Sequence, residues 1–416
     1  MTGYPPCPQA KAPTRPMHLL LIHQNFPGQF RDLGPAWLQQ GHHVTAVGSA
    51  AAPHDGERWN GLTYLRYCIA DEPNPSAIQR GEAVAAACRK LLQAGTAPDL
   101  VLVHSGWGEA HNLREVFPCT PLIVFPELWG HPRALGYGFD RHLDGQTADP
   151  RWFAEQNQLC VEAINNSDVA VVPCSAQAKS FPSHLQAQLT VLPEGLDLER
   201  YGPDPSASIT LKGHCFAAGE PLVTVVARSL EPLRGIRQVL LAWPAIATAV
   251  PEAQLLLVGE QHQGYGMEEP AGDLSHLNTC LAELPAEIDH SRIHMLGCLD
   301  HGSMVRLLQC SACHLALSYP YTLSWSTLEA LACETPLISN PGAPVVDELI
   351  EGESVVLVPF NDPQALASAT TALLQKPHKR RRLGQTAGRI VVERFSLATS
   401  LAAYQQLFNQ LKTTRL

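Results

Sequence analysis

The sequence predicts an α/β chain built as two doubly wound, parallel-sheet domains, and three observations carry that prediction. The chain has 416 residues, about the length of two ordinary domains. Short apolar runs rich in Leu, Val and Ile recur along it, each followed by a longer segment with helical spacing, which is the alternation of a parallel sheet covered by helices on both faces. The alternation stops at a Pro- and Gly-rich stretch, 193–206, and restarts beyond it.

In chain order, the first 16 residues, MTGYPPCPQAKAPTRP, lack the apolar core of a signal peptide and read as a disordered tail. Strands are expected at HLLLI (18–22), HVTAVG (43–48), LVLVH (100–104), PLIVF (121–125) and DVAVVP (168–173). After the 193–206 linker come LVTVVA (222–227), QLLLVG (254–259), RIHMLG (292–297), HLALS (314–318), PLISN (336–340) and VVLVP (355–359). This divides the chain into a first domain over 17–195 and a second over 196–390, followed by a terminal segment, 391–416. Ligands of such folds bind at the carboxyl ends of the strands, so those loops are where chemistry is to be sought.

Composition narrows the function classes. With 45% hydrophobic residues, 16% charged residues and a formal net charge of −10, the chain is of the soluble globular class, and its acidic balance argues against general nucleic-acid binding. No apolar run reaches the roughly 18 residues of a membrane-spanning helix. The 12 cysteines form no framework and suit reduced thiols of a cytoplasmic protein. Cys310 and Cys313 make the one CxxC, with His301 and His314 nearby in sequence. A zinc site needs four ligands and no second CxxC exists, so the pair is read as small residues at a helix end and a strand start, and no metal is expected. The basic run KPHKRRRLG (376–384) is read as a solvated helix start, with weak association to an anionic membrane surface as its alternative.

Two strand ends in the second half carry candidate binding groups. After LVTVVA, Arg228 and Arg234 bracket a short loop ahead of a helix whose Ile236, Val239, Leu240 and Trp243 keep one apolar face. Guanidinium forks grip phosphate oxygens in pairs and stay charged, so two of them suit a diphosphate; solvated surface charges are the alternative. After HLALSYP, the segment TLSWSTLEALACETPL starts another helix. Ser326 and Glu329 spell a capping box, in which the carboxylate turns back to the Ser326 amide. The competing reading has the helix amides around Ser324, Trp325, Ser326 and Thr327 cradle a phosphate while Glu329 meets the vicinal hydroxyls of a ribose.

The order of these segments resembles the retaining glycosyltransferases of family 4, over about 17–412. PYTLSWSTLEALACETPL stands where that family reads E-G-F-G-L-x-x-x-E followed by A-x-A-C-G-x-P. Glu329 matches the second glutamate, whereas Tyr321 replaces the first, Thr322 and Ser324 replace two glycines, and Glu334 replaces the glycine after Ala-Cys. ARSLEPLRG is similar to the family's G-R-L-x-x-x-K-G element, LPEGLDLERYGPD to its interdomain segment with Glu194 in place of Asn, and RFSLATSLAAYQQLF to its terminal helix. The resemblance implies the GT-B fold: two facing Rossmann-like domains and a C-terminal helix, within 391–416, that crosses back onto the first domain.

It also implies roles. Arg228 and Arg234 would bind the donor diphosphate, Glu329 the nucleotide ribose, and Tyr321 would stand where the family contacts the donor sugar. In the first domain, which the resemblance makes the acceptor side, FPGQFRDLGPAWLQQGHHV is similar to the family's first loop and helix, placing Gly28 where backbone approaches the donor phosphate. His104, at the end of LVLVH, stands where several members hold a histidine beside the transferred sugar. Trp107, Glu109, Glu127 and Trp129 come from the same strand-end loops and are expected to shape an acceptor pocket. The implied activity is transfer of a hexose from a UDP-, GDP- or ADP-sugar to an acceptor hydroxyl with retained configuration, without a metal or other cofactor. A nucleotide-sugar epimerase and a sugar-nucleotide or partner-binding module without turnover are the alternatives that the Tyr321 departure leaves open.

Overall fold

The computed structural model describes residues 15–53, 57–69, 75–261 and 275–413. All but two residues of the expected N-terminal tail lie outside that set. The chain forms two compact units. The first comprises Met1–Gly130, Asp149–Asp197 and Phe395–Leu416; the second comprises His131–Ala148 and Leu198–Arg394.

In the first unit β1 (His18–Ile22), β2 (His43–Gly48), β3 (Thr63–Arg66), β4 (Leu100–His104), β5 (Leu122–Phe125), β6 (Val169–Val172) and β7 (Leu189–Val191) form one sheet in the order β3-β2-β1-β4-β5-β6-β7. Every pairing is parallel. β1 and β4 are buried almost throughout because helices cover both faces, which is why their sequences are continuous apolar runs rather than alternating ones. The Leu397–Thr413 helix closes one face, setting Tyr404 and Phe408 against Trp37, each at 5.7 Å between ring centroids.

The second unit opens with a hairpin, β8 (Ser208–Leu211) and β9 (His214–Ala217), and continues with β10 (Leu222–Ser229), β11 (Gln254–Glu260), β12 (Ile293–Gly297), β13 (Cys313–Ala316), β14 (Leu337–Ser339) and β15 (Val356–Leu357). Its sheet runs β12-β11-β10-β13-β14-β15, again all parallel. Both sheets therefore have the doubly wound order, with the reversal beside the first strand of each. Ile236, Val239, Leu240 and Trp243 are buried as the spacing predicts, on the Ile236–Ala249 helix.

One assignment differs from the sequence reading. Residues 131–148, expected within the first domain, pack with the second unit. The cause is a set of specific contacts: Tyr319 donates its hydroxyl to Asp140 at 2.7 Å, Asn361 donates to the Phe139 carbonyl at 2.6 Å, and Phe139 packs against Tyr319 and Phe360. Such an excursion has no periodicity of its own and cannot be read from spacing.

Candidate functional site

The two sheet reversals, between β1 and β4 and between β10 and β13, are where the physics of this fold places ligands, and each gathers polar residues. In the second unit Arg228 lies exposed near the end of β10, and Arg234 ends the short turn Pro232–Arg234. Gly235 follows with φ of 64°, and a Cβ there would lie 2.6 Å from that of Leu317, so this turn needs glycine on both counts. Across the reversal, Thr322, Ser324 and Thr327 line one cleft with Arg234 and with Val226 and Ala227 of β10.

The helix that frames this cleft is Trp325–Ala332, and its N-cap is Ser324, not Ser326. No side-chain capping bond forms there. The Ser326 hydroxyl instead donates to the Val226 carbonyl of β10 at 2.9 Å and lies 2.9 Å from the Ser324 hydroxyl, tying the helix start to the neighbouring strand. The capping-box reading of Glu329 therefore fails. Glu329 is 2% exposed, a full turn inside the helix, and its Oε1 accepts from the Tyr201 hydroxyl at 2.9 Å. Tyr321, at the position of the resembling family's first glutamate, is partly buried against the unit's apolar core, and Trp325 is the half-buried first residue of the helix.

In the first unit His104 ends β4 fully buried, between two carboxylates. Its Nδ1 lies 3.7 Å from Glu109 and its Nε2 3.3 Å from Glu127. Burial by itself lowers a histidine, yet the charge of Glu127 and Glu109 outweighs it and pushes His104 up to about 10. Burial works against both carboxylates as well, and His104 nonetheless holds each below the usual range. His23, in the loop after β1, has its ring centroid 4.7 Å from that of His104; burial, then the neighbouring imidazolium, lower it to about 3. Its Nδ1 accepts from the Asn25 amide at 2.9 Å, which leaves the proton of this neutral ring on Nε2. Glu127 also accepts from Gln29 at 2.7 Å.

Gly28 has φ of 48°, and a Cβ there would lie 2.2 Å from His23 Nε2, so glycine is required for the loop to lie on this imidazole. Trp107 stands 4.5 Å from His104 between ring centroids, close enough for a cation–π contact. Trp129 is not part of the cluster and packs against Phe181 in the unit's core. Among the residues that sequence reasoning proposed, His104, Glu109, Glu127, Trp107 and Gly28 thus come together, as do Arg234, Ser324 and Thr327. It missed His23 and Tyr201. His23 had a signal, since it directly follows the first strand; Tyr201 had none.

The remaining polar motifs resolve structurally. Cys310 directs its thiol to the Phe216 carbonyl, Cys313 is fully buried in β13, and burial pushes them up to about 11 and about 12. His314 is hydrogen bonded to Thr224, and burial lowers it to about 4. Among the described residues no group of three or more His, Cys, Asp or Glu is placed to hold a metal ion, and no helix is long and apolar enough to cross a membrane. In the basic run, Arg380 donates to the carbonyls of Leu373 and Leu374 at the end of the preceding helix, while Arg381 and Arg382 are exposed.

Two doubly wound units, each with a polar site at its sheet reversal, define the GT-B class, and solved structures agree. Sucrose-phosphate synthase from Thermosynechococcus elongatus matches with a TM-score of 0.74 at 20% identity over 96% of this chain and 100% of its own. The Anabaena protein HepE, solved in complex with UDP-glucose, matches with a TM-score of 0.68 at 15% identity over 96% of this chain and 100% of its own. Residues 40–201 match the model of the glycosyl transferase family 4 group and residues 220–376 that of glycosyl transferases group 1. The chain belongs to these glycosyltransferases. Among curated relatives, a GDP-mannose-dependent alpha-(1-6)-phosphatidylinositol monomannoside mannosyltransferase of Mycolicibacterium smegmatis is 25% identical over 54% of this chain and 57% of its own length. A D-inositol 3-phosphate glycosyltransferase of Corynebacterium urealyticum is 26% identical over 68% and 66%. The chain thus spans between about half and two thirds of the length of these relatives.

Proposed function

We propose that this protein transfers a hexose from a nucleoside diphosphate sugar to an acceptor hydroxyl with retention of configuration. The observation that carries the proposal is the second-unit cleft, where Arg234, the hydroxyls of Thr322, Ser324 and Thr327, and the start of the Trp325–Ala332 helix meet at the sheet reversal. A cation, hydroxyls and the positive end of a helix are the donor set of a diphosphate site. The names of the relatives support the donor class, since one depends on GDP-mannose and one structural neighbour holds UDP-glucose.

In this reading Arg228 and Arg234 grip the diphosphate, the amides of 324–327 receive its oxygens, and Glu329 accepts from the ribose hydroxyls. When the glycosidic bond breaks, negative charge grows on the leaving diphosphate, and these groups stabilise it in place. They take the role that a divalent cation fills elsewhere, so the reaction needs no metal. His104, kept as an imidazolium by its two carboxylates, does not serve as a general base, because a group held near 10 is almost wholly protonated at neutral pH. The eleven described cysteines are thiols outside any disulfide, which suits a cytoplasmic enzyme; weak contact with a membrane surface rests only on the exposed Arg381 and Arg382.

Incubation with UDP-, GDP- and ADP-hexoses and a panel of hydroxyl acceptors tests the proposal. Release of nucleoside diphosphate that depends on acceptor is the expected result. Sugar interconversion without acceptor would replace transfer by epimerisation. Tight nucleotide binding with no turnover of any donor would instead leave Tyr321 as the mark of a silent binding unit.

A further inference from the structure

Glu329 does not stand alone: it is the end of a hydrogen-bond chain whose direction the residues themselves determine. Arg200 Nη2 lies 2.7 Å from His301 Nδ1, His301 Nε2 lies 2.5 Å from the Tyr201 hydroxyl, and that hydroxyl donates to Glu329 Oε1 at 2.9 Å. A guanidinium only donates, so His301 Nδ1 must accept. Its ring proton is therefore on Nε2 and points to the Tyr201 oxygen. A carboxylate only accepts, so the single Tyr201 proton is spent on Glu329. Each member thus fixes the orientation of the next, from Arg200 through His301 and Tyr201 to the carboxylate.

These residues come from three places in the second unit. Arg200 and Tyr201 lie in the segment that enters it, His301 is the first residue of the His301–Cys310 helix, and Glu329 lies on the helix that frames the cleft. Tyr201 and Glu329 are 5% and 2% exposed, so the bond between them is shielded from competing water. A buried carboxylate pinned through one oxygen has its plane fixed, and with it the direction of the other.

We infer that Tyr201 and His301 are positioning residues for donor binding, setting the Glu329 carboxylate in the orientation that recognises the ribose diol. The inference rests on the proposed role of Glu329 as ribose holder. The relay confers discrimination for the hydroxylated sugar and contributes nothing to the diphosphate contacts.

The test uses the full chain and whichever of UDP, GDP and ADP binds it best, together with the 2′,3′-dideoxy form of the same nucleotide. Wild type is expected to prefer the ribonucleotide by about tenfold or more, the worth of a hydrogen bond to a charged group. Tyr201→Phe should lose most of that preference through weaker ribonucleotide binding while its affinity for the dideoxy form stays within about twofold. His301→Leu should lose about half of it on a logarithmic scale, and His301→Gln, whose amide can donate from near the Nε2 position, should restore it. A wild type that binds both nucleotides equally overturns the ribose role of Glu329. A wild type with the preference, and a Tyr201→Phe protein that retains it, overturns the relay alone. Should Tyr201→Phe fail to fold, the His301 pair decides: equal ribose preference in His301→Leu and wild type rules the relay out.

Discussion

The two sheet reversals have the same strand topology and opposite electrostatics. In the first unit the reversal holds an ion cluster within the protein, one imidazolium between two carboxylates, with His104 and Glu109 at 0% exposure and Glu127 partly exposed. In the second it presents Arg234, hydroxyls and a helix start to a cleft, with the Glu329 carboxylate buried on that helix and Glu231 buried in the loop that carries Arg234. What the comparison teaches is that strand order only nominates a place. The loops after the strands decide whether that place is filled by opposed charges of the protein's own or presents a cation and hydroxyls.

The largest effect expected follows from the ion cluster of the first unit. Glu109→Gln removes one carboxylate from the cluster while keeping its shape, leaving His104 with Glu127 alone. His104 keeps a carboxylate partner, so no buried charge is left uncompensated, and the loss is that of the Gln24 and Trp107 amide bonds to a charged acceptor, about 1–3 kcal/mol. Urea denaturation should show that loss, and nucleoside diphosphate affinity of the second unit should not change once the variant is folded. A loss below about 1 kcal/mol would mean that the cluster is solvated like a surface pair.

The converse change on the open side is Arg234→Ala. Here stability should move by about 1 kcal/mol or less, as for a half-buried polar side chain, while nucleoside diphosphate binding weakens by about 10- to 100-fold, the worth of a charge-assisted phosphate contact. Glu329→Ala should also weaken binding. Calorimetric titration beside a thermal melt separates the two quantities, and a melt lowered with affinity intact would sink the donor-site reading for either residue.

Protonation sharpens the contrast further. His104 has its folded value raised from 6.5 to about 10, so its contribution to stability is fully present below 6.5 and is lost as pH rises toward 10. In that window the native state holds one extra proton, and stability falls by at most about 1.4 kcal/mol per pH unit. His23, lowered to about 3, has the opposite sign: its contribution is present above 6.5 and is lost as pH falls through 3. Imidazole NMR should therefore find His104 still charged at about pH 8.5 and His23 neutral at about pH 5. Finding both rings titrating near 6.5 would show that the cluster is open to water.

Much of this architecture was legible because fully buried parallel strands are unbroken apolar runs. HLLLI, HVTAVG and LVLVH coincide with β1, β2 and β4 to the residue. Strands with half-exposed faces were passed over: β3 and β7 at the sheet edge and the β8–β9 hairpin carry no such run. The site residues near strand ends could be nominated from position alone. The Ser326 capping box could not be rejected that way, because what defeats it is the Val226 carbonyl, 100 residues away in sequence. Tyr201 reaches Glu329 across 128 residues, a juxtaposition that only the folded second unit creates.

The smallest effect expected concerns a place where the second unit carries strain beside its site. The Trp325–Ala332 helix ends with the Glu334 amide bonded to Leu331 and the Thr335 amide bonded to Ala330, the bond pattern of a Schellman end. That end demands a left-handed residue, and Glu334 supplies it with φ of 57° where the resembling family has glycine. The backbone cannot relax, since Gly384 of the Pro377–Phe395 helix lies against it so closely that a Cβ there would meet the Glu334 carbonyl oxygen at 1.9 Å. Glu334→Gly removes the Cβ clash of the left-handed conformation, worth about 1–2 kcal/mol, and returns part of it as added freedom of the unfolded chain, about 0.4–1 kcal/mol. A net gain of about 0.5–1 kcal/mol in denaturant unfolding is expected. Gly384→Ala should lose more than that gain, because it drives a methyl into a backbone that has nowhere to go. If Glu334→Gly instead destabilises, the Glu334 side chain contributes contacts worth more than its backbone strain, and the departure from glycine at this helix end is itself stabilising.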